Sequence, residues 1–287
     1  MKRWLLGICC VALSCAALAA GPNVVRKRAQ ASMLVTGTIE VAPDGSVHGY
    51  ALDQADKLPP GVVGLIGKDV PAWTFQPVLI DGKPVLAKAK MSLRIVAKRV
   101  DDEHASISIT GAQFGQQGGV AGETTSYKTR PAPKYPWMEQ QARVSGTVYL
   151  LLRVGRNGQV EDAAAEQVNL AVYASDSDME RFRDDLAKAA LAAATHWTFN
   201  TPTKGKHASD DHWVARVPVN FQMTPFGGPQ PEEAYGKWQS YIPGPHALVP
   251  WMIEKDKLIS GEVDAIPAGS IYQVDEGFRL TTPLGGA

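Results

Sequence analysis

The stretch that decides the fold runs from residue 144 to residue 160 and reads VSGTVYLLLRVGRNGQV. Every second residue of its first part lies on one face of a strand, and these residues are Gly146, Val148, Leu150, Leu152 and Val154. Asn157-Gly158 is a favoured pair for the two-residue turn of a hairpin. Residues 159–169 then predict the returning strand.

A long helix and a closing strand are predicted after this hairpin. A capping box at residues 177–180 begins the helix. Apolar residues then recur at spacings of three and four, which is typical of one buried stripe, and they are Met179, Phe182, Leu186, Ala189, Ala190, Ala193 and Trp197. A polar loop at residues 201–211 leads to a last strand at residues 213–223. Pro218 cannot donate to a neighbouring strand, so we expect this last strand at an edge of the sheet, where another chain could add a strand.

The first half of the chain repeats this order of features. The pattern VTGTI followed by DGSV at residues 35–47 corresponds to VSGTV followed by NGQV at residues 144–160. In both halves a predicted helix ends in Trp-Thr-Phe, at residues 73–75 and 197–199, and an alternating strand follows. A duplicated unit accounts for both halves. We therefore predict an α+β fold of two similar units.

The first twenty residues differ from the rest of the chain. They begin with Lys2 and Arg3, continue with an apolar run, and end with an A-x-A pattern at residues 17–19. This order is typical of a secretory signal cleaved near residue 20, which predicts a periplasmic protein. The alternative is an uncleaved inner-membrane anchor at residues 4–20, although that run is at the short end of the ~17–25 residues that span a bilayer.

Cysteine content and charge exclude several classes of function. All 3 cysteines lie in the N-terminal segment, so the cleaved chain would have no disulfide and no thiolate metal site. Lysine plus arginine and aspartate plus glutamate both total 29, so no basic excess predicts a nucleic-acid partner. A membrane partner is predicted only if the N-terminal segment stays uncleaved.

Composition also sets the borders of the predicted domains. Gly, Gln, Ser and Thr dominate residues 115–130, and prolines accumulate after residue 224. The predicted domains are a signal peptide at 1–20, a degenerate first unit at 31–114, a linker at 115–130, a second unit at 131–224 and a Pro-rich C-terminal extension at 225–287. The extension either packs over the second unit or binds a partner.

Residues 131–223 resemble the C-terminal domain of the TonB family of energy transducers. The matching features are the Tyr135-Pro136 pair, the strand and hairpin quoted above, the Trp197-x-Phe199 helix end and the alternating residues 217–221. The first unit is a weaker match and lacks the Tyr-Pro pair, although residues 81–85 resemble a segment common in the family.

The resemblance implies a fold and a binding site. Each unit would be a small antiparallel sheet with helices packed on one face. The family works at the periplasmic face of a Gram-negative outer membrane, where its edge strand pairs with a short N-terminal segment of an outer-membrane transporter. Carried over by position, the partner-binding residues are Val217, Val219, Asn220, Phe221, Gln222 and Met223.

Two departures from the family pattern decide which function we expect. A full transducer has an uncleaved inner-membrane helix and a long spacer, whereas the linker at residues 115–130 spans at most about 55 Å at ~3.3–3.6 Å per residue. We therefore expect a periplasmic TonB-like protein that binds an envelope partner, such as an outer-membrane TonB-dependent transporter, through its edge strand. The alternative is an energy transducer that couples the inner-membrane proton gradient to outer-membrane transport.

The sequence predicts neither an enzyme nor a cofactor. The chain contains no G-x-S-x-G elbow, P-loop, G-x-G-x-x-G or H-E-x-x-H. Imidazoles and carboxylates lie close together at residues 207–212, which leaves open an envelope metal-binding or hydrolytic enzyme. A polar loop explains the same residues, and we predict no metal there.

The aromatic residues are predicted to differ in role. Trp73 and Trp197 end the two helices at the same point of each unit, so we predict that both pack in the core. His196 is predicted to interact favourably with the dipole at the helix end rather than to act as a base. The candidates for exposed aromatic side chains are Trp238, Tyr241 and Trp251 in the C-terminal extension.

Overall fold

The structure is a computed structural model, and it describes residues 30–99, 105–115, 122–223, 235–252, 263–274 and 277–284. The predicted signal peptide at residues 1–20 lies outside these residues. Within them, no helix is both long enough and apolar enough to cross a bilayer.

The first half of the chain forms an antiparallel sheet, a short helix and a separate two-stranded hairpin. Its elements are β1 (Gln30–Val41), β2 (Val47–Leu52), α1 (Pro60–Asp69), β3 (Leu79–Ile80), β4 (Lys83–Pro84), β5 (Ala87–Arg99) and β6 (Ala105–Gly115). β1 pairs with β2 and β5, and β5 pairs with β6. Val35, Ile39 and Val41 of β1 are fully buried while the residues between them alternate outward, as the period-two pattern predicts.

The second half forms another antiparallel sheet, a long helix and a separate pair of short strands. Its elements are β7 (Ser126–Thr129), α2 (Trp137–Gln141), β8 (Gly146–Gly155), β9 (Val160–Leu170), α3 (Asp176–Ala194), β10 (Thr198–Asn200) and β11 (His212–Phe221). β8 lies between β9 and β11. The predicted stripe of α3 is confirmed, since Phe182, Leu186 and Ala190 are buried against the sheet. The helix cap is Ser175, which accepts a bond from the Asp178 amide, two residues before the predicted box.

Both sheets order their strands in the same way. In each sheet the central strand lies between its hairpin partner and the strand that closes the unit. The spatial order is β2–β1–β5 in the first sheet and β9–β8–β11 in the second. The Phe75 amide donates to the Gly45 carbonyl and the Phe199 amide donates to the Gly158 carbonyl, each over 2.8 Å. A Cβ at either glycine would lie 2.2 Å from the carbonyl oxygen of that phenylalanine, so each Trp-Thr-Phe segment packs directly on its hairpin turn.

Part of the predicted linker at residues 115–130 belongs to the second fold. β7 pairs with β10, and Tyr127 lies edge-on to Trp197 at 6.1 Å between ring centroids. This strand has four residues and is held by aromatic contacts from elsewhere in the chain, so it carries no periodicity that sequence reasoning can detect.

The described parts of the C-terminal extension pack over both sheets. They contain β12 (Gln239–Tyr241), which pairs with β1, and β13 (Tyr272–Gln273), which pairs with β11. Val249 and Met252 cover Leu151 and Val214 on the sheet face opposite α3. Leu280 lies against the first unit, where it forms an isolated antiparallel β-bridge with Phe75.

A buried polar cluster joins the two sheets to this extension. Arg94 of β5 donates from Nε to the carbonyl oxygen of Asp264 over 3.0 Å. The Asp264 carboxylate accepts bonds from Asn169 of β9 and from the Tyr241 hydroxyl. Burial raises the pKa of the neighbouring Tyr149 to about 12, so its hydroxyl stays neutral at physiological pH.

Candidate partner-binding edge

The six predicted partner-binding residues divide between the core and the surface. Their positions alternate because successive side chains of a strand point to opposite faces. Val217, Val219 and Phe221 are buried in the core beneath α3, with at most 2% of each side chain exposed. Asn220 and Gln222 are exposed, and Met223 is half-buried. The three buried side chains therefore cannot contact a partner strand, which leaves the backbone of this segment to form the pairing.

The first half of β11 is not an edge. On one side β11 pairs with β8 along its whole length. On the other side, Arg216 pairs with Tyr272 of β13, and the Val274 amide donates to the Val214 carbonyl over 2.9 Å. The prediction of an edge strand is wrong for this half, because β13 is a two-residue strand that shows no pattern of its own.

An arginine covers the next position of the outer edge. The carbonyl oxygen of Pro218 accepts a bond from Nη2 of Arg130 over 3.1 Å, and Nη1 of Arg130 donates to Gly269 over 3.4 Å. The guanidinium lies over the rings of Tyr127 and Trp197, with its carbon 4.7 Å and 5.1 Å from their centroids. Pro218 itself has no N–H, so neither of its backbone groups is available to a partner.

After Pro218, the side of β11 that faces away from β8 has no neighbouring strand among the described residues. Pairing alternates along a strand, so the backbone groups of Asn220 and then Gln222 point away from β8. Within the described part of the chain no strand pairs with them. Thr147 donates to Oδ1 of Asn220 over 2.8 Å, and the Met223 amide donates to Oγ of Ser145 over 3.0 Å, which holds this end in place. The candidate edge is thus residues 220–222.

Two exposed apolar side chains follow Tyr135, whose ring contacts Phe221 of β11. Trp137 and Met138 at the start of α2 are 67% and 65% exposed. Tyr135 places α2 here, because its ring lies edge-on to Phe221 at 5.3 Å between centroids. The sequence patterns did not identify either residue. Their position directly after Tyr135-Pro136 is a usable signal, because a helix this short has no long apolar stripe that would bury both side chains.

Glu139 of α2 is buried, in contrast to the exposed Trp137 and Met138 of the same helix. It is 1% exposed, and its Oε1 has no hydrogen-bond partner. Burial raises the pKa of Glu139, and the neighbouring Asp185 carboxylate adds to the rise. A carboxyl group whose pKa is raised by folding stabilises the fold only while it is protonated, so its contribution is lost as the pH rises through the folded pKa.

Replacing Glu139 by glutamine is therefore expected to raise the free energy of unfolding at neutral pH. The gain is about 1 kcal/mol, because the uncharged amide is not repelled by Asp185 and loses less on burial than a carboxylate does. It shrinks toward zero at about pH 4, where the wild-type carboxyl is also protonated in the unfolded chain. Urea unfolding at both pH values measures this, with the exposed Glu180→Gln as the control. A variant less stable than the wild type at neutral pH would contradict the assignment.

Two side chains of the loop at residues 207–212, His207 and Asp210, contact each other. Nδ1 of His207 lies 2.6 Å from Oδ2 of Asp210, and Nε1 of Trp213 donates to the His207 carbonyl. His212 begins β11 and is exposed. Over the described ranges, no group of three or more His, Cys, Asp or Glu side chains gathers as a metal ion requires.

The aromatic predictions are confirmed in part. Trp73 and Trp197 are buried, at 5% and 1% exposure, and Nε1 of Trp197 donates to the Pro131 carbonyl over 2.9 Å. Trp238 is 37% exposed, as predicted for a surface aromatic. Tyr241 bonds to Asp264, and Trp251 packs on the apolar residues Leu151, Val214, Val249 and Met252, so these two aromatic side chains cover the fold.

Comparison with known proteins points to one family over part of the chain. Two proteins described as Protein TonB, from Xanthomonas campestris pv. campestris strain B100 and from a second strain of the same pathovar, are 36% identical to this chain over 99 residues. About a third of the chain is TonB-like. The TonB-like segment covers 34% of this chain and 38% of each relative, so the chain spans well under half the length of the TonB proteins that it matches. No protein-family model matches the chain, and no solved structure matches it.

Proposed function

We propose that this chain is a TonB-like periplasmic protein that binds an envelope partner by strand addition at the open end of β11. The observation that carries the proposal is the outer edge at Asn220 and Gln222, with which no strand of the described residues pairs. Trp137 and Met138 are exposed and follow the Tyr135 that contacts Phe221, so they offer apolar contacts to such a partner. A main-chain edge supplies affinity, and adjacent side chains supply specificity. The partner that fits is an extended segment of an outer-membrane transporter.

The first unit supports this proposal, on the hypothesis that it is a second TonB-like copy. Both units share one strand order and the same bond between a turn glycine and a phenylalanine. Gly37 of the first unit pairs with Met91, and the equivalent Gly146 of the second unit pairs with Phe221. Lys90 and Asn220 directly precede these two partners, so they occupy equivalent positions. In the first unit Lys90 pairs with the end of β6. The same fold position therefore accepts an antiparallel strand, which is what the partner would provide.

Energy transduction is the second candidate, because both relatives are described as Protein TonB. It requires an anchor in the inner membrane, whereas the binding function does not. The intact mass of the protein recovered from fractionated cells separates the two. A soluble periplasmic form that begins near residue 20 supports the binding protein, and a full-length form in the inner membrane supports the transducer.

Replacing Asn220 by proline is expected to weaken partner binding by at least tenfold. Proline removes the outward N–H and blocks the approach of a strand, while the β8 ladder on the other side stays intact. Titration calorimetry with synthetic peptides from the N-terminal segments of TonB-dependent transporters measures the affinity.

The matched control is Asn220→Ala, which keeps the N–H and loses only the exposed bond from Thr147. This variant should bind within about threefold of the wild type, as expected for a surface change of ~0.5 kcal/mol. Equal affinities for the proline variant and the wild type would rule out pairing at this edge.

A further inference from the structure

The hairpin of β3 and β4 stands off the first sheet with its apolar side chains in solvent. Leu79, Ile80 and Leu86 are 59%, 61% and 54% exposed. Leu79 and Ile80 are successive residues of one strand, so they point to opposite faces and neither face of the hairpin is packed. Asp81 and Gly82 form its tip, both with positive φ, and nothing lies within 4 Å of a Cβ built on Gly82.

The fold does not require these apolar side chains. Residues 76–86 connect Phe75 to β5, and residues 201–211 make the equivalent connection from Phe199 to β11. The second connection reads TPTKGKHASDD, so it contains no large aliphatic residue, although its Gly205 repeats the positive φ of Gly82. A polar connection thus serves the same fold position. Exposed apolar groups at this one position point to an interaction.

The composition of the hairpin favours a lipid surface over a protein. Interface hot spots are enriched in Trp, Tyr and Arg, and lysine is depleted there. Residues 76–90 contain no aromatic residue and no arginine, and they carry Lys83, Lys88 and Lys90 against the single acid Asp81. Lys83 and Lys90 are exposed, while Lys88 bonds to Glu40 of β1. Aliphatic side chains flanked by lysines suit the headgroup region of an anionic bilayer.

We propose that residues 79–86 insert their aliphatic side chains among the headgroups of an anionic phospholipid membrane. Lys83 and Lys90 lie at the surface and attract the lipid charge, whereas Lys88 is paired with Glu40. A hairpin with so few apolar side chains binds weakly and reversibly, and salt weakens the attraction. The contact would hold the first unit against a membrane without any N-terminal anchor, and it is independent of strand addition at β11.

Vesicle sedimentation tests this proposal with the exported chain, residues 21–287, which contains every described residue. The wild type should sediment with vesicles of phosphatidylglycerol and phosphatidylethanolamine and much less with phosphatidylcholine alone. Leu79→Ser with Ile80→Ser should lower the partition by about tenfold or more, because each aliphatic side chain contributes burial energy on insertion. Lys83→Gln with Lys90→Gln should lower binding only to the anionic vesicles.

Leu248→Ser is the matched control, since Leu248 is 76% exposed at a distant point of the sequence. This variant should sediment like the wild type. Absence of wild-type binding, or equal binding by the hairpin variants, would overturn the proposal. If the hairpin variants instead abolish a concentration-dependent dimer in lipid-free solution, the hairpin is a contact between two copies of the chain and the lipid assignment is wrong.

Discussion

Replacing Glu166 by leucine is expected to lower the free energy of unfolding by about 3–5 kcal/mol. Glu166 of β9 and Arg216 of β11 are only 1% and 3% exposed. Nε of Arg216 donates to Oε2 of Glu166 over 2.8 Å, and Nη2 donates to Oε1. Removing the carboxylate leaves the guanidinium buried without a counter-charge, which is one of the few changes that produce so large a loss. Urea unfolding monitored by circular dichroism measures the change.

A second substitution separates this cause from a simple packing defect. Glu166→Leu combined with Arg216→Met should recover most of the loss, since replacing both members of a buried pair by apolar groups is often neutral or stabilising. The comparison pair is the exposed Lys88–Glu40 bridge, where Glu40→Gln should cost below about 1 kcal/mol. A double variant as unstable as Glu166→Leu alone would show that packing, and not the unpaired charge, causes the loss.

Replacing Trp197 by alanine is expected to cost about 3–5 kcal/mol, as for other large aromatic side chains in cores. Trp197 is buried in the hydrophobic core of the second unit, donates to the Pro131 carbonyl and stacks with Arg130. Its loss therefore also releases the arginine that covers Pro218. Thermal and urea unfolding both measure the effect.

Trp137 is the matched contrast because it is 67% exposed. Trp137→Ala should change the free energy of unfolding by no more than about 0.5 kcal/mol. If Trp137 contacts the partner, the same substitution should weaken transporter-peptide binding by about tenfold or more, as for an aromatic hot spot. A large loss of stability on Trp137→Ala would show instead that this side chain belongs to the fold.

The outcome at β11 shows where reasoning from residues stops. Pro218 predicts a position that cannot donate an N–H to a neighbouring strand, and no strand of the described residues pairs with its outer side. The same proline says nothing about Arg130, which lies far away in sequence and covers its carbonyl. The predicted site of six residues therefore narrows to its last part. Only that part has outward backbone groups that no strand of the described chain pairs with.

The acidic residues show the same limit. Glu139 and Glu166 look like surface residues in the sequence, because nothing local distinguishes them from other glutamates. Both are buried, one against Asp185 and the other against Arg216. Glu166 is buried with an opposite charge that another strand supplies, whereas Glu139 is buried beside a second carboxylate from α3. Such partners are set by packing and do not appear in a periodic pattern.

By itself the sequence determined the hairpin turns, the long amphipathic helix α3, the two Trp-Thr-Phe helix ends and the TonB-like pattern of the second unit. These features depend on neighbouring residues, because turn chemistry and hydrophobic periodicity act over a few positions. Only the tertiary structure decided how the extension closes β11, which glutamates are buried and which hairpin stands in solvent. Each of these depends on contacts between segments distant in sequence, and β13 and the extended segments around it are too short to show a period of their own.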